Sequence, residues 1–361
     1  MKIFTYLGGL ACIGLYFFTP KTLELGVILF ALAAIGWIGG ALFYNSYLPE
    51  IASPDQQDKV SSKGFAFGYL GGLVALVLML ALFAENATTG KTLIGIDPIF
   101  GLDTEAREGT RMVGPLAALW YTVFMIPFFL WVREPRIAGV GRIHIGAALG
   151  SLRDFIAGLR FRKSLSAYLV SALLYRDALN GLYAFGGVYA SNVLGWSITQ
   201  IGVFGILGAL TAVVASWIGG RLDKRFGPKP VLIGAMIILI AVCIVIVGLS
   251  RDSLYGIPLD EAGSTADIIF YICGALIGGA GGPLQAASRT MLVRHTTPDR
   301  ATEAFGMFAL SGKVASFISP LMIAMVTHIS GSARIGISPV VLLFVLGLVL
   351  LIWVRPKGEM A

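Results

Sequence analysis

Residues 219–229 read Gly-Gly-Arg-Leu-Asp-Lys-Arg-Phe-Gly-Pro-Lys and connect two apolar stretches, residues 198–220 and 230–249. Each stretch is long enough to cross the hydrocarbon core of a bilayer as a helix. The connection between them is short, basic and rich in glycine, which is typical of a tight turn on the cytoplasmic side of a membrane. This stretch therefore predicts a pair of membrane-spanning helices joined by a cytoplasmic turn.

The composition of the whole chain agrees with a membrane protein. Of its 361 residues, 57% are hydrophobic and 13% are charged, whereas soluble domains typically carry about 25% charged residues. The three cysteines and three histidines are scattered, which excludes a disulfide framework and a metal cluster built from them. We expect no cofactor and no metal site.

Ten apolar stretches predict an all-α integral membrane fold with about ten transmembrane helices. The predicted spans are residues 3–19, 23–44, 65–84, 112–132, 165–194, 198–220, 230–249, 266–288, 302–328 and 335–354.

The distribution of lysine and arginine predicts the orientation of these spans. Nineteen of the 27 basic residues lie at the chain ends and in alternate connections, six lie in the remaining connections, and two lie within spans. Both termini are therefore predicted to be cytoplasmic, in a multi-pass protein of the plasma (inner) membrane. The net charge of +7 is explained by this topology, so we expect no nucleic-acid binding.

The longest basic connection, residues 133–164, carries Leu149, Leu152, Phe155, Ile156 and Leu159 on one helical face. This pattern predicts an amphipathic helix on the inner membrane surface that links two halves of the protein. A regulatory partner site is the alternative interpretation.

An internal repeat divides the chain. Residues 45–55 align with residues 289–299 through the pairs Pro54-Asp55 and Pro298-Asp299, and the first four spans then align with the last four. Spans 165–194 and 198–220 have no counterparts. We therefore predict an incomplete N-terminal bundle of four helices (1–132), a linker (133–164) and a C-terminal six-helix bundle (165–361), as in a 6 + 6 protein that lacks its first two helices. A genuine ten-helix protein is the competing interpretation.

The segment 219–229 resembles the Gly-x-Leu-x-Asp-Arg-x-Gly-Arg-Lys loop of major facilitator transporters. Its matching residues are Gly220, Leu222, Arg225, Gly227 and Lys229. Lys224 stands at the position of the family's aspartate, and Asp223 lies one residue earlier. The resemblance implies two bundles that alternate in access and a gating loop made of Gly220, Asp223, Lys224, Arg225 and Gly227. The alternative is a plain basic loop.

Other stretches, residues 43–52, 60–72, 174–178, 185–190 and 195–197, resemble the UMF1 branch, which is related to fungal vacuolar amino-acid effluxers. The resemblance implies export or exchange of a small solute, such as an amino acid, driven by an ion gradient. Where that family commonly has asparagine in the fifth span, this chain has Arg176.

Three ionisable residues lie deep within the predicted spans: Arg176, Asp177 and Lys313. Each costs about 2.5–3.5 kcal/mol at a helix centre, so such residues face a cavity or a partner. One hypothesis is that Arg176 or Lys313 binds a substrate carboxylate, while Asp177 binds an ammonium group or carries a proton. Asn180 and Tyr183 share a helical stripe with Arg176. The alternative is a structural network of the three charges.

The stretch Ile277-Gly-Gly-Ala-Gly-Gly-Pro-Leu-Gln285 predicts a helix broken at Pro283, with Gln285 contacting the solute. Close helix packing through Gly278 and Gly282 is the alternative. Tyr69 is interpreted as a packing or interface aromatic residue.

Motifs of enzymes and ATPases are missing from the sequence. Residues 306–313 do not fit a Walker A loop, so we expect neither ATP use nor catalysis. The predicted function is secondary active transport by alternating access, with a small-molecule solute, the lipid bilayer and protons as partners. The alternative is a transport-inactive membrane scaffold or sensor, or a truncated gene product.

Overall fold

The computed structural model describes residues 1–19, 22–53, 55–86, 89–132, 150, 153, 157–260, 264–297 and 300–358. The principal helices are α1 (Lys2–Gly14), α2 (Leu23–Ser46), α3 (Leu48–Ile51), α4 (Gln57–Leu78), α5 (Glu108–Arg111), α6 (Val113–Trp131), α7 (Lys163–Leu194), α8 (Ile198–Phe226), α9 (Pro228–Gly248), α10 (Ser264–Arg294), α11 (Ala301–Val314), α12 (Ile318–Ser330), α13 (Ala333–Gly336) and α14 (Ser338–Leu350). Single turns of 3₁₀ helix lie at Leu15–Phe17, Ile99–Gly101 and Leu351–Trp353, and a π-helical turn lies at Met79–Phe83. A small antiparallel hairpin, β1 (Ser253–Leu254) and β2 (Ile257–Pro258), connects α9 to α10.

The predicted all-α membrane fold is confirmed. Eight helical segments of the described chain are long and apolar enough to span a bilayer, and Lys2–Phe17 is a shorter apolar helix. The remaining predicted span coincides with α7, which is 32 residues long. The amphipathic helix predicted within 133–164 lies largely outside the described residues.

Local signals explain where the helices end. Gly195, after α7, adopts the left-handed conformation with a φ of +68°, which glycine adopts without steric cost. Ser197 then caps α8: its hydroxyl accepts from the Gln200 amide, and the Gln200 side chain accepts from the Ser197 amide. This reciprocal pair satisfies two donors at the helix start.

The span predicted at 302–328 coincides with the candidate membrane span Ala301–Ser330, but it is made of two helices instead of one. The structure ends α11 at Val314 and begins α12 at Ile318. Pro320 gives the physical reason, because a proline lacks a backbone donor and its ring clashes with the preceding turn. The break therefore lies directly before the first turn of α12.

The break predicted at Pro283 is also corrected, because α10 continues as one helix from Ser264 to Arg294. A Cβ on Gly278 would overlap the carbonyl group of Gly208, and a Cβ on Gly282 would lie 2.9 Å from the carbonyl oxygen of Ala212. Packing through Gly278 and Gly282 against α8 is therefore the interpretation that the structure supports. A membrane helix commonly continues past a proline, because neighbouring helices satisfy the backbone groups that the proline leaves without a partner.

The described residues form two compact units: those within 1–45 and 71–148 make up one, and those within 46–70 and 149–361 make up the other. In the first unit, α1 packs on α6, and the backbones of α1 and α2 approach closely at Gly8 and Gly36. The predicted bundle boundaries, 1–132 and 165–361, stay a prediction.

The second unit contains a dense core and all of the predicted site residues. Helix α10 packs on α8 and α9, and α14 packs on α7 and α9. The largest fully buried side chains include Tyr168, Tyr175, Phe270 and Phe344. This core fixes α7, α8 and α10, the three helices that carry most of the candidate site.

Candidate functional site

Arg176 and Asp177, neighbours on α7, contact opposite sides of the break between α11 and α12. The Arg176 guanidinium donates to the carbonyl of Phe308 at 2.8 Å and lies 4.0 Å from the centre of its ring. It also lies beside Gly312, in the last turn of α11. The Asp177 carboxylate accepts from the backbone amide of Ser319 at 2.6 Å, in the first turn of α12.

This arrangement matches the partial charges of helix ends. The C-terminal end of a helix is electronegative and attracts a cation, whereas the N-terminal end is electropositive and attracts an anion. Arg176 supplies the cation for α11, and Asp177 supplies the anion for α12. The two charges therefore stabilise the broken helix from a single turn of α7.

Asp177 keeps unused hydrogen-bonding capacity. It is 1% exposed, and its Oδ1 atom has no hydrogen-bond partner among the described residues. The hydroxyl of Ser319, also buried, has none within the same set. A buried carboxylate with one unpartnered oxygen is costly when it is charged, so a proton or a cationic group at Oδ1 would be favourable.

Lys313 does not join Arg176 and Asp177 in a network of charges. Its side chain is exposed at the end of α11, and no ion pair links these three residues in the described part of the chain. Asn180 is also exposed, and Tyr183 is 44% exposed. Lys313 and Asn180 therefore present polar groups at an open surface within the spans, whereas the Tyr183 hydroxyl packs against Gly281.

Tyr183 and Gln285 meet in a hydrogen-bonded cluster with Tyr69. The Gln285 amide nitrogen donates to the Tyr69 hydroxyl at 2.6 Å, and the Tyr183 hydroxyl lies beside both residues. A Cβ on Gly281 would overlap the Tyr183 hydroxyl, so this glycine admits the ring. Tyr69 is the member that the sequence interpretation missed, because one tyrosine in an apolar stretch gives no local signal of a polar partner.

The buried hydroxyl of Ser216 lies next to this cluster. It packs against Gly282, near the ring of Tyr69, and has no hydrogen-bond partner within the described ranges. The cluster thus combines an amide, two phenols and an unpartnered hydroxyl, groups that donate to and accept from a polar solute.

The predicted gating loop is mostly helical. Helix α8 runs through Asp223 to Phe226, Gly227 makes the turn with a φ of +85°, and Pro228 begins α9. Gly220 approaches α4 so closely that a Cβ there would overlap the Ser62 hydroxyl. Lys224 and Arg225 are exposed.

Asp223 belongs to a buried charge cluster at this end of the spans. It is 2% exposed and faces Thr290, Asp58 and Arg294. The Arg294 guanidinium pairs with the Asp58 carboxylate at 3.2 Å. Asp58, Thr290 and Arg294 were not predicted from the sequence, since 236 residues separate Asp58 from Arg294.

A second bridge between α4 and α10 lies beside this cluster. Buried Arg289 donates to the hydroxyl of Ser61 at 2.9 Å and to its carbonyl at 2.7 Å. The hydroxyl of Ser61 donates to the carbonyl of Ala286 at 2.9 Å. Helix α4 is therefore bound to α10 at two adjacent points. No group of three or more His, Cys, Asp or Glu residues that could hold a metal ion lies within the described chain.

Solved structures of transporters share this fold. The Escherichia coli fucose:proton symporter FucP superposes with a TM-score of 0.68 at 13% identity, over 97% of this chain and 82% of that one. The human organic anion transporter MFSD10 gives 0.67 at 17% identity, over 97% of this chain and 75% of that one. The fold is therefore that of the major facilitator superfamily.

Relatives in sequence define the family more narrowly. An uncharacterized MFS-type transporter of Bacillus subtilis (strain 168), YxiO, is 24% identical over 356 residues, 96% of this chain and 75% of that protein. Autophagy-related protein 22 of Cryptococcus neoformans is 23% identical over 286 residues, 77% of this chain and 47% of that protein. The chain belongs to the family described as vacuole effluxer Atg22 like, whose profile matches residues 1–360. It spans about half the length of the fungal relatives that it matches.

Proposed function

We propose that this MFS-type protein is a secondary active transporter that moves a small solute by alternating access. One observation carries the proposal: the polar side chains of Asn180 and Lys313 are exposed within the spans. A polar side chain at this depth faces either lipid or a water-filled cavity, and the cost of a charge in lipid favours the cavity. The Tyr69–Gln285–Tyr183 cluster adds neutral hydrogen-bonding groups.

The proposed solute is a small zwitterion such as an amino acid, exported or exchanged. Lys313 is our candidate for the carboxylate of the solute, because its ammonium group is exposed, whereas the guanidinium of Arg176 already contacts Phe308. The polar cluster is our candidate for the remaining hydrogen bonds of the solute. The effluxer description of the family supports the direction, and the proposal includes no catalytic step.

Asp177 is the proposed site of the coupling proton. Its Oδ1 atom is unpartnered while Oδ2 caps α12, so a proton at Oδ1 would change the charge at the helix break without removing the cap. The contact between Asp177 and Ser319 gives this change a direct path to α12. The gradient that drives transport would act through this carboxylate.

The loop 219–229 and the Asp58–Asp223–Arg294 cluster are proposed as a gate. The cluster ties α4 to α8 and α10 at one end of the spans, and opening at that end would separate these helices. We place both termini in the cytoplasm and the protein in the plasma (inner) membrane, on the distribution of lysine and arginine. Residues 43–52, 60–72 and 185–190 support placement in the UMF1 branch.

Thermal unfolding of the purified full chain in detergent tests the solute assignment. Each of the twenty amino acids is added in turn, because a ligand that binds the folded state raises the Tm. At least one amino acid should raise the Tm saturably, and Lys313→Met should abolish that shift. The matched control Lys163→Met removes an exposed lysine at the start of α7, away from the proposed solute site, and should leave the Tm shift intact. No shift with any amino acid, or an equal loss in both variants, would contradict the assignment.

A further inference from the structure

A cavity of about 390 Å³ lies between the first turns of α4 and the last turns of α8. These turns are the ends of two candidate membrane spans, Gln57–Phe83 and Gln200–Phe226. Residues three and four positions apart share one face of a helix, and the cavity is lined in that register by Lys59, Lys63, Trp217, Arg221 and Lys224. Gly220 and Ser62, which approach each other closely, also line it.

The cavity is strongly cationic. Four of its lining side chains are basic, and no carboxylate in the described chain forms an ion pair with any of them. Asp55 and Asp58 interact electrostatically with Lys224. Asp58, however, already forms an ion pair with Arg294. The cavity therefore retains an excess of positive charge that an anion would neutralise.

Exposed apolar side chains continue the same two faces toward the middle of the spans. On α8, Leu210 and Val214 precede Trp217 and are 46% and 58% exposed. On α4, Phe67 and Leu70 follow Lys63 and are 70% and 41% exposed. On both helices, a charged end is thus followed by an apolar face. Tryptophan at such a level is typical of the membrane–water boundary.

We infer that this cavity binds the phosphate headgroup of an anionic phospholipid, with the acyl chains along the apolar faces of α4 and α8. Basic pockets between transmembrane helices on the cytoplasmic side bind such headgroups. Arginine and lysine donate charge-assisted hydrogen bonds to phosphate oxygens. A soluble phosphate would use the cations but not the apolar faces, so we assign the site to a lipid. The site includes Gly220 and Lys224 of the proposed gating loop, but its test does not require a known solute.

Native mass spectrometry of the full chain in a neutral detergent tests the inference, with phosphatidylglycerol and phosphatidylcholine as probes. The wild type should retain phosphatidylglycerol at least about tenfold more tightly than phosphatidylcholine. The triple variant Lys59→Gln, Lys63→Gln and Arg221→Gln should lose most of this preference. The matched control Lys163→Gln, Arg355→Gln and Lys357→Gln removes the same charge from exposed positions outside the cavity and should keep it. Equal losses in the two triple variants would overturn the inference.

Two further measurements on folded protein separate a lipid from a soluble anion. Phosphatidylglycerol that carries bromine on its acyl chains should quench tryptophan fluorescence in the wild type, and Trp217→Phe should remove part of that quenching. Unchanged quenching in this variant would overturn the assignment, as would displacement of the lipid by equimolar inorganic phosphate. Binding to the wild type should also weaken as salt rises from roughly 50 to 500 mM, and affinity that does not depend on salt would contradict the role of the cations.

Discussion

The central structural prediction concerns the two carboxylate oxygens of Asp177. Oδ2 accepts a hydrogen bond from the Ser319 amide, and Oδ1 is the proposed proton site. Asp177→Asn keeps an amide oxygen that can accept from the Ser319 amide, but it removes the charge and the site for a proton. A hydrogen bond to a charged group is worth about 1.5–3 kcal/mol and a neutral one about 0.5–1.5 kcal/mol. The hydrogen bond to Ser319 therefore weakens by roughly 1 kcal/mol. This loss is offset because a charge no longer has to be buried.

Asp177→Ala removes both the acceptor for the Ser319 amide and the proposed proton site. It leaves the Ser319 amide without an acceptor in a buried position, which costs about 1–3 kcal/mol. We therefore expect a clear fall in the free energy of unfolding for Asp177→Ala and little change for Asp177→Asn. Thermal unfolding in detergent, followed by tryptophan fluorescence, measures the two shifts in Tm.

Transport by the same variants separates the cap from the proton site. In proteoliposomes, Asp177→Asn should lose uptake driven by a pH gradient but keep counterflow exchange, since exchange needs the helix break and not the proton. Ser319→Ala is the matched control: it removes a buried hydroxyl with no partner in the described chain and retains the backbone amide. It should be stable and fully active. Gradient-driven uptake by Asp177→Asn would refute the proton role.

Three further predictions concern the proposed gate and Asp260, which lies just before α10. Arg294→Gln leaves Asp58 and Asp223 buried without their cation and should cost about 3–5 kcal/mol of stability. Asp58→Asn should cost clearly less, because Asp223 remains to face the Arg294 guanidinium; thermal unfolding measures both. Gly220→Val should separate α4 from α8, because its side chain would overlap Ser62, and should lower both the Tm and the transport rate. Hydrogen bonds from Ser264 and Thr265 lower the pKa of Asp260. The contribution of this carboxylate to stability is therefore present at neutral pH and is lost as the pH falls below about 3.9, the pKa of aspartate in an unfolded chain. The Tm difference between wild type and Asp260→Asn should shrink over that range.

Controls and contrary outcomes for these three predictions are specific. Equal destabilisation by Arg294→Gln and Asp58→Asn would mean that Asp223 does not share the cation. Gly219→Val places its added side chain against Pro283 instead of α4, so it should lower stability through α10 packing without the same effect on Ser62. A Tm difference for Asp260→Asn that is constant between pH 7 and roughly pH 3 would exclude its capping carboxylate as the source.

Hydropathy was sufficient to predict the membrane spans. Each apolar stretch lies on a helix because a segment buried in lipid must satisfy its own backbone groups. The boundary between α7 and α8 is encoded locally, by Gly195 and the Ser197–Gln200 capping pair. The class of fold could therefore be predicted from composition, and the transporter family from the residues of one loop.

Prolines were less informative than the pattern suggested. Pro283 predicted a break, but α10 continues because α8 packs closely against the glycines before it. Pro320 lies in the first turn of α12, where proline is tolerated. The break before it was not predicted, because the residues of 302–328 are apolar on both sides of it. Whether a proline ends a membrane helix is decided by neighbouring helices, which a single sequence does not describe.

Long-range partners account for what the sequence could not predict in the candidate site. Arg176 and Asp177 were singled out by their depth in a span, but their partners, Phe308 and Ser319, lie on a helix pair more than a hundred residues later. The same is true of Tyr69 with Gln285 and of Asp58 with Arg294. Charge within a span indicates that a residue matters, and only the packing of the helices shows what it contacts.

The proposed transport function is tested most directly by counterflow in proteoliposomes made with the purified full chain. Vesicles preloaded with an unlabelled amino acid should accumulate the labelled form transiently and saturably, and Lys313→Met should abolish the accumulation while Lys163→Met should not. Accumulation no greater than in protein-free vesicles, across all twenty amino acids, would contradict the proposal that this protein transports a small zwitterion.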